Sequence, residues 1–313
     1  MQQIVLTLKR FSKPLFILLL ILCLFPFVTP PIALFSGLLF AIIIGNPYSK
    51  ESKKASKMLL QYAVVGLGFG MNLQASLAAG KEGIVFTIVS VIGVMLLGVF
   101  LTKKMKIDEK TGYLISAGTA ICGGSAIAAT APVMNAKEHT ISVALGTVFI
   151  LNAIALFIFP PIGHWLDMTQ QQFGTWAAIA IHDTSSVVGA GEVYGAEALQ
   201  VATTVKLTRA LWIIPMALVT SYIFKAKDQK ISIPWFILFF VLAMIVNTYV
   251  PLPALFTNIV SIVSKKALTV TLFLIGSGLS LGVIKEVGIK PLVLGVALWI
   301  IIGVSSLAVI MYI

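Results

Sequence analysis

Three groups of residues in this chain have chemistry to offer. The first is Gly118-Thr119-Ala120-Ile121-Cys122-Gly123-Gly124-Ser125-Ala126-Ile127-Ala128-Ala129, which packs glycines, a cysteine and hydroxyls into an apolar stretch of bilayer length. Adjacent Gly123 and Gly124 weaken a helix and leave space beside it. In lipid, non-helical backbone survives only where it is buried in protein or lines a wet cavity. A break at Cys122–Ser125 starts a half-helix whose first amides and dipole favour an anion, with Ser125 adding a hydroxyl. The competing reading, glycines that simply permit close helix packing, suits Gly118 better.

The second group is His182-Asp183-Thr184-Ser185-Ser186, again inside a bilayer-length segment. Ionisable groups at that depth usually face a cavity or one another. They read as a cation or proton site, with Asp183 the carboxylate, His182 a titrating neighbour and Ser186 on the Asp183 face. On a regular helix, His182 and Asp183 point about 100° apart. A helix shifted along its axis would instead leave them in a mouth. The third group is Lys206 and Arg209, spaced i,i+3 on one helix face, with Thr203, Thr204 and Thr208 around them. They read either as a cationic pair for an anionic substrate, with Thr204 donating, or as partners for Asp183, Glu192 or Glu197.

The elements that must position these residues are transmembrane helices. The chain is 59% hydrophobic and 11% charged, with a mean hydropathy of +1.04, where a soluble domain carries roughly 25% charged residues. About eleven spans follow from the apolar runs, near 13–28, 31–45, 58–79, 84–101, 112–134, 139–160, 173–194, 198–224, 233–249, 264–284 and 291–313. Lys9, Arg10 and Lys13 before Leu15–Phe25 mimic a signal peptide, but no small-residue cleavage site follows, so this reads as a retained first helix.

The net charge of +11 sits mostly in short lysine clusters between runs. Such clusters are topology signals rather than a nucleic-acid footprint. An N-terminus inside places Lys50–Lys57, Lys103–Lys110, Lys225–Lys230, Lys285 and Lys290 on the cytoplasmic face, leaving few cations, among them Lys81 and Lys137, outside. Eleven divides as one plus five plus five, which inverts the second copy of the repeat. Residues 1–313 then form a single transport domain: 1–30 an extra helix, 31–160 one repeat, 161–313 the other. Span 5 would pair with span 10, whose Gly276-Ser277-Gly278-Leu279-Ser280-Leu281-Gly282 is a second candidate break.

Cys23 and Cys122 imply no disulfide framework, and three dispersed histidines give no metal-ligand spacing. No P-loop and no nucleophile motif are present, so neither ATP-driven pumping nor hydrolysis is expected. Asn152 and Asn247 read as structural hydrogen bonds between helices.

At Gly118–Ala129 and at His182–Gly191 the sequence resembles the sulfate exporter family of bacterial inner-membrane proteins. The resemblance spans nearly the whole chain. It implies a polytopic transporter related in design to bile-acid and sodium–proton antiporter folds. The reading is an all-α secondary transporter of the bacterial plasma membrane, with a homodimer as one option and no cofactor. Its substrate is a small inorganic or organic anion such as sulfate or an organosulfonate, received at Gly123, Gly124, Ser125, Thr204, Lys206 and Arg209. Protons or sodium couple at His182, Asp183 and Ser186. The rivals are a cation–proton antiporter using Asp183 and, more remotely, an intramembrane enzyme.

Overall fold

The computed structural model describes residues 11–224, 235–279 and 287–312, and of residues 75–85 the backbone alone. Every regular element among them is a helix. The clusters at 225–230 and 285, and Ser280–Gly282 of the second glycine run, lie outside the described residues. Among the described residues, five helical stretches are long and apolar enough to cross a membrane: Phe86–Lys104, Glu138–Trp165, Ala196–Ile223, Ala254–Gly278 and Ile289–Tyr312. The chain is a polytopic membrane protein, divided into two compact units, 1–76 with 234–281 and 77–233 with 282–313.

The first unit holds α1 (Ser12–Leu22), α2 (Pro30–Ile43), α3 (Ser49–Gly68), α12 (Trp235–Tyr249) and α13 (Ala254–Gly278). Helices α2 and α13 meet backbone to backbone. A Cβ on Gly37 would strike the Phe273 carbonyl, and one on Gly276 the Leu34 carbonyl. Asn46 closes one end of this pair, its Nδ2 donating to Ser277 Oγ at 3.0 Å and to the Ser277 carbonyl at 3.1 Å. Gly276 therefore serves packing; α13 ends within the same run, at Gly278, beside which a Cβ would meet nothing within 4 Å. Asn247 does bond between segments, to the Met71 carbonyl at 3.2 Å.

The second unit holds α4 (Leu73–Lys104) beyond residue 76, α5 (Glu109–Ala120), α6 (Gly124–Val133), α7 (Glu138–Trp165), α8 (Gln170–Ala180), α9 (Thr184–Tyr194), α10 (Ala196–Ala210), α11 (Ile213–Ile223) and α14 (Ile289–Tyr312). The expected linker between spans 3 and 4 lies at 69–72 rather than near 80. There Asn72 Oδ1 accepts from the Gln74 amide at 2.9 Å and starts α4. The exposed stripe of Val89, Ile92, Leu96 and Phe100 on α4 has the spacing of a lipid-facing helix side.

Spans 5 and 7 differ from expectation in a way that matters. Neither crosses. Lys110, at the start of α5, donates through Nζ to the Asn135 carbonyl, just past α6, at 3.1 Å. A straight rod would hold those residues about 35 Å apart. At the base of the other pair, Tyr194 donates to the Met168 carbonyl at 2.6 Å and stacks on Phe173 at 3.8 Å. Gln170 Oε1 accepts from the Glu197 amide at 3.0 Å. Helices α5–α6 and α8–α9 are thus hairpins that enter and leave on one face. Arms of ten to twelve residues reach about 15–18 Å, half of a bilayer core about 30 Å thick.

Local sequence explains the bases. Asp108 accepts from the Thr111 amide at 2.9 Å and begins α5. Thr169 and Gln172 form a capping box that begins α8. Between the hairpins, α7 crosses once with 28 residues, so the hairpins enter from opposite faces. The single crossing also moves Lys137 onto the face of Lys103, Lys104, Lys106 and Lys110, against the outward position expected of it. The linkers at the other hairpin's base carry Trp165, Asp167 and Glu197 and no lysine or arginine.

Membrane-impermeant maleimide labelling of single added cysteines tests this arrangement. Lys110→Cys and Lys137→Cys should react from one face, and Asp167→Cys and Glu197→Cys from the other. Labelling of 110 and 137 from opposite faces would restore two crossing spans. In the first unit, Gly37→Leu and Gly276→Leu should each cost about 1–3 kcal/mol through overpacking, read as a lower melting temperature in detergent.

Candidate functional site

The tips of the two hairpins meet. Helix α5 ends at Ala120, Ile121–Gly123 form a turn, and α6 restarts at Gly124. Gly123 has φ 64° and ψ −122°, a conformation open essentially to glycine alone. A Cβ there would lie 3.3 Å from the His182 carbonyl oxygen and 3.4 Å from Asp183 Cα. So Gly123 is required twice, by its own backbone and by the approach of the other tip. On that tip, α8 ends at Ala180, Ile181 and Asp183 are extended, and α9 restarts at Thr184. His182 and Asp183 are therefore not on a regular helix, as expected, but in the turn between two half-helices.

Four helix ends converge here, each with peptide groups that no fourth residue along its helix can satisfy. Two are carbonyl ends, and α10 supplies a cation to each. Lys206 Nζ donates to the Ile181 carbonyl at 2.7 Å and to the Ala178 carbonyl at 3.2 Å. Arg209 Nη2 donates to the Ala120 carbonyl at 2.6 Å, and Nη1 to Ser90 Oγ on α4 at 2.9 Å. Both cations are fully buried. Each sits where the helix dipole is negative, and hydrogen bonds from a charged donor contribute about 1.5–3 kcal/mol each. This is a third arrangement beside the two expected of them, since the hydrogen bonds found run to three peptide carbonyls and the Ser90 hydroxyl.

The third end, the start of α9, is capped by Asp183. Its Oδ2 accepts from the Ser185 amide at 3.0 Å, from the Ser186 amide at 3.3 Å and from the Ser185 hydroxyl. Asn152, near the middle of α7, holds the turn itself. Its Oδ1 accepts from the His182 amide at 3.0 Å and the Asp183 amide at 3.2 Å. Asp183 also interacts electrostatically with Lys206. The fourth end, the start of α6, has no charged cap. The Ser125 hydroxyl and the Ala126 amide turn toward the Cys122 sulfur, and Ser125 and Ala128 are exposed.

Among the described residues, the buried members of the Asp, Glu, Lys, Arg and His set are His182, Asp183, Lys206 and Arg209. All four belong to this junction. The structure gathers Gly123, Gly124, Ser125, His182, Asp183, Ser186, Lys206 and Arg209 around the tips. Thr204 is buried on α10, two residues before Lys206. Residue spacing missed Ser90, a serine in the apolar part of α4, and assigned Asn152 only a structural bond. The usable signal for Asn152 was its place halfway along a 28-residue span.

Two substitutions probe this geometry. Gly123→Ala should cost about 1–3 kcal/mol from the forced backbone alone, seen as a lower melting temperature. Lys206→Met should leave two buried carbonyls unpaired at about 1–3 kcal/mol each. An unchanged melting temperature for Lys206→Met would refute the capping role.

Comparison with known proteins supplies a family. The family model described as conserved hypothetical protein 698 matches residues 14–295. A UPF0324 membrane protein of Bacteroides thetaiotaomicron is 66% identical over 289 residues, 91% of this chain and 87% of that one. One from Porphyromonas gingivalis is 56% identical over 97% of both chains. One from Shewanella oneidensis is 48% identical over 97% of this chain and 96% of that one. No solved structure matches the chain.

Proposed function

Since the chain belongs to the conserved hypothetical protein 698 family of bacterial membrane proteins, we propose that it is a secondary transporter of a small oxyanion, sulfate or an organosulfonate, driven by an ion gradient. The observation that carries this reading is the meeting of two re-entrant hairpin tips around buried charges. Irregular backbone at mid-membrane is tolerated where it is buried in protein or lines a pathway, and interrupted helices meeting at the midplane are the binding architecture of secondary carriers.

The charges at the junction favour an anion. The four helix ends contribute two positive and two negative poles that cancel. Of the formal charges, Lys206 and Arg209 stand against Asp183 alone, which leaves one positive unit apart from His182. The uncompensated pole is the start of α6, with the Gly124 and Ser125 amides and the exposed Ser125 hydroxyl. The anion binds there. At that position Lys206 and Arg209 act as sources of field rather than as direct ligands, because Nζ and the two Nη groups already serve the α8 carbonyls, the Ala120 carbonyl and Ser90. Asp183 and His182 take the coupling ion, a proton or sodium, with Ser186 beside them. The lysine-rich linkers mark the cytoplasmic face. The chain carries out no covalent chemistry.

The test is sulfate flux in proteoliposomes. Arg209→Gln keeps hydrogen-bond donors near Ala120 and Ser90 but removes the charge; Asp183→Asn does the same for the α9 cap. Each should lower flux at least about tenfold, the loss of one charge-assisted interaction. Wild-type flux in both variants would sink the assignment. A pH-dependent sodium flux needing no anion would instead favour cation–proton exchange at Asp183.

A further inference from the structure

Around the hairpin tips, five buried polar atoms have no hydrogen-bond partner: Thr119 Oγ1, Asn152 Nδ2, His182 Nδ1, His182 Nε2 and Arg209 Nε. Their residues are at most 3% exposed. One such atom in a protein interior costs about 1–3 kcal/mol, so each calls for an explanation.

The four residues are tied into one neighbourhood by contacts already described. Asn152 grips the amides of His182 and Asp183 through Oδ1, which leaves its Nδ2 beside that turn. Arg209 grips the Ala120 carbonyl, and Thr119 is the residue before it. His182 and Arg209 interact electrostatically. The turn that follows Thr119 touches the turn that carries His182 at Gly123.

The chemistry of the five atoms is one-sided. Asn Nδ2 and Arg Nε can only donate; a threonine hydroxyl can donate, and imidazole donates from at least one nitrogen. A cation would find at most the threonine oxygen and one imidazole nitrogen, and no anionic ligand among the five. A water molecule accepts from at most two donors, whereas four donor groups are available here. An ion with several acceptor oxygens can take a donor from each helix at once.

We propose that Thr119, Asn152, His182 and Arg209 form a second, enclosed anion site, distinct from the exposed start of α6, that takes a tetrahedral oxyanion. The proposal rests on the transport reading. A carrier that exposes its site to alternate faces holds its cargo out of reach of both in between, and these fully buried donors are where an oxyanion is held at that step. The exposed start of α6 is then the entry position. Asn152 becomes a binding residue as well as the one that fixes the 182–183 turn.

Asn152→Asp separates those two roles. The retained oxygen still accepts from the His182 and Asp183 amides, while the free donor becomes an acceptor. Thr119→Val removes a donor with little change in shape. The purified protein is melted in detergent with sodium sulfate and, at matched ionic strength, sodium chloride. Sulfate should raise the wild-type melting temperature in a saturable way that chloride does not. The sulfate dissociation constant should rise at least about tenfold in Asn152→Asp, since a charged group's hydrogen bond is lost, and about threefold to tenfold in Thr119→Val. Unchanged sulfate affinity in both variants overturns the enclosed site and leaves the α6 start standing. No sulfate response in the wild type overturns both sites. Should Asn152→Asp not fold, Thr119→Val decides: wild-type affinity there overturns the proposal.

Discussion

A helix that stops inside a bilayer leaves peptide carbonyls or amides with no water to satisfy them. This protein stops four helices at one place, and everything around that place answers the resulting demand. Lys206 and Arg209 reach the carbonyl ends of α8 and α5. Asp183 takes the amide end of α9. Burying two cations is expensive in itself, and removing one partner from such an arrangement is strongly destabilising. The cations and the broken helices therefore stabilise each other. Neither would persist alone.

That interdependence underlies the transport proposed for this protein. Three of the helix ends are neutralised by the protein's own side chains, and one, the start of α6, is left to something else. The arrangement places an attractive field for an anion at mid-membrane without committing the cations to direct contact. A substrate that bonded to the Lys206 ammonium or to the Arg209 Nη groups would have to displace a partner they already hold. One that binds at the α6 amides uses the field and leaves the caps in place. The unpartnered donors of Thr119, Asn152, His182 and Arg209 deepen the same logic on the enclosed side of the junction.

The first unit solves a different problem. Its helices α2 and α13 approach so closely that Gly37 and Gly276 are needed for van der Waals reasons. Glycine thus plays two roles in one chain. In α13 it lets backbones touch within continuous helix; at Gly123 it permits a turn that a side chain would forbid. Counting glycines cannot separate these roles: Gly276 packs in the same run in which α13 ends, at Gly278. In the second unit another break lies at Ile181–Asp183, where polar residues rather than glycines mark it.

Composition and charge placement alone determined the membrane class, the lysine-rich face and the three residue groups that meet at the site. Those follow from the free energy of moving side chains into lipid, which each residue carries with it. The hairpins were illegible for an equally physical reason. Two arms of about eleven residues have the same apolar length as one crossing helix of about twenty-two, and turning two spans into hairpins changes the side only of the two linkers that flank α7. Lys137 and Asp167 change face with them, and the other linkers keep theirs. Which pole each charge serves was likewise beyond the sequence, because Arg209–Ala120 and Lys206–Ile181 join residues 89 and 25 positions apart through backbone carbonyls. Every residue has such a carbonyl, and only tertiary structure decides which ones are left without a partner.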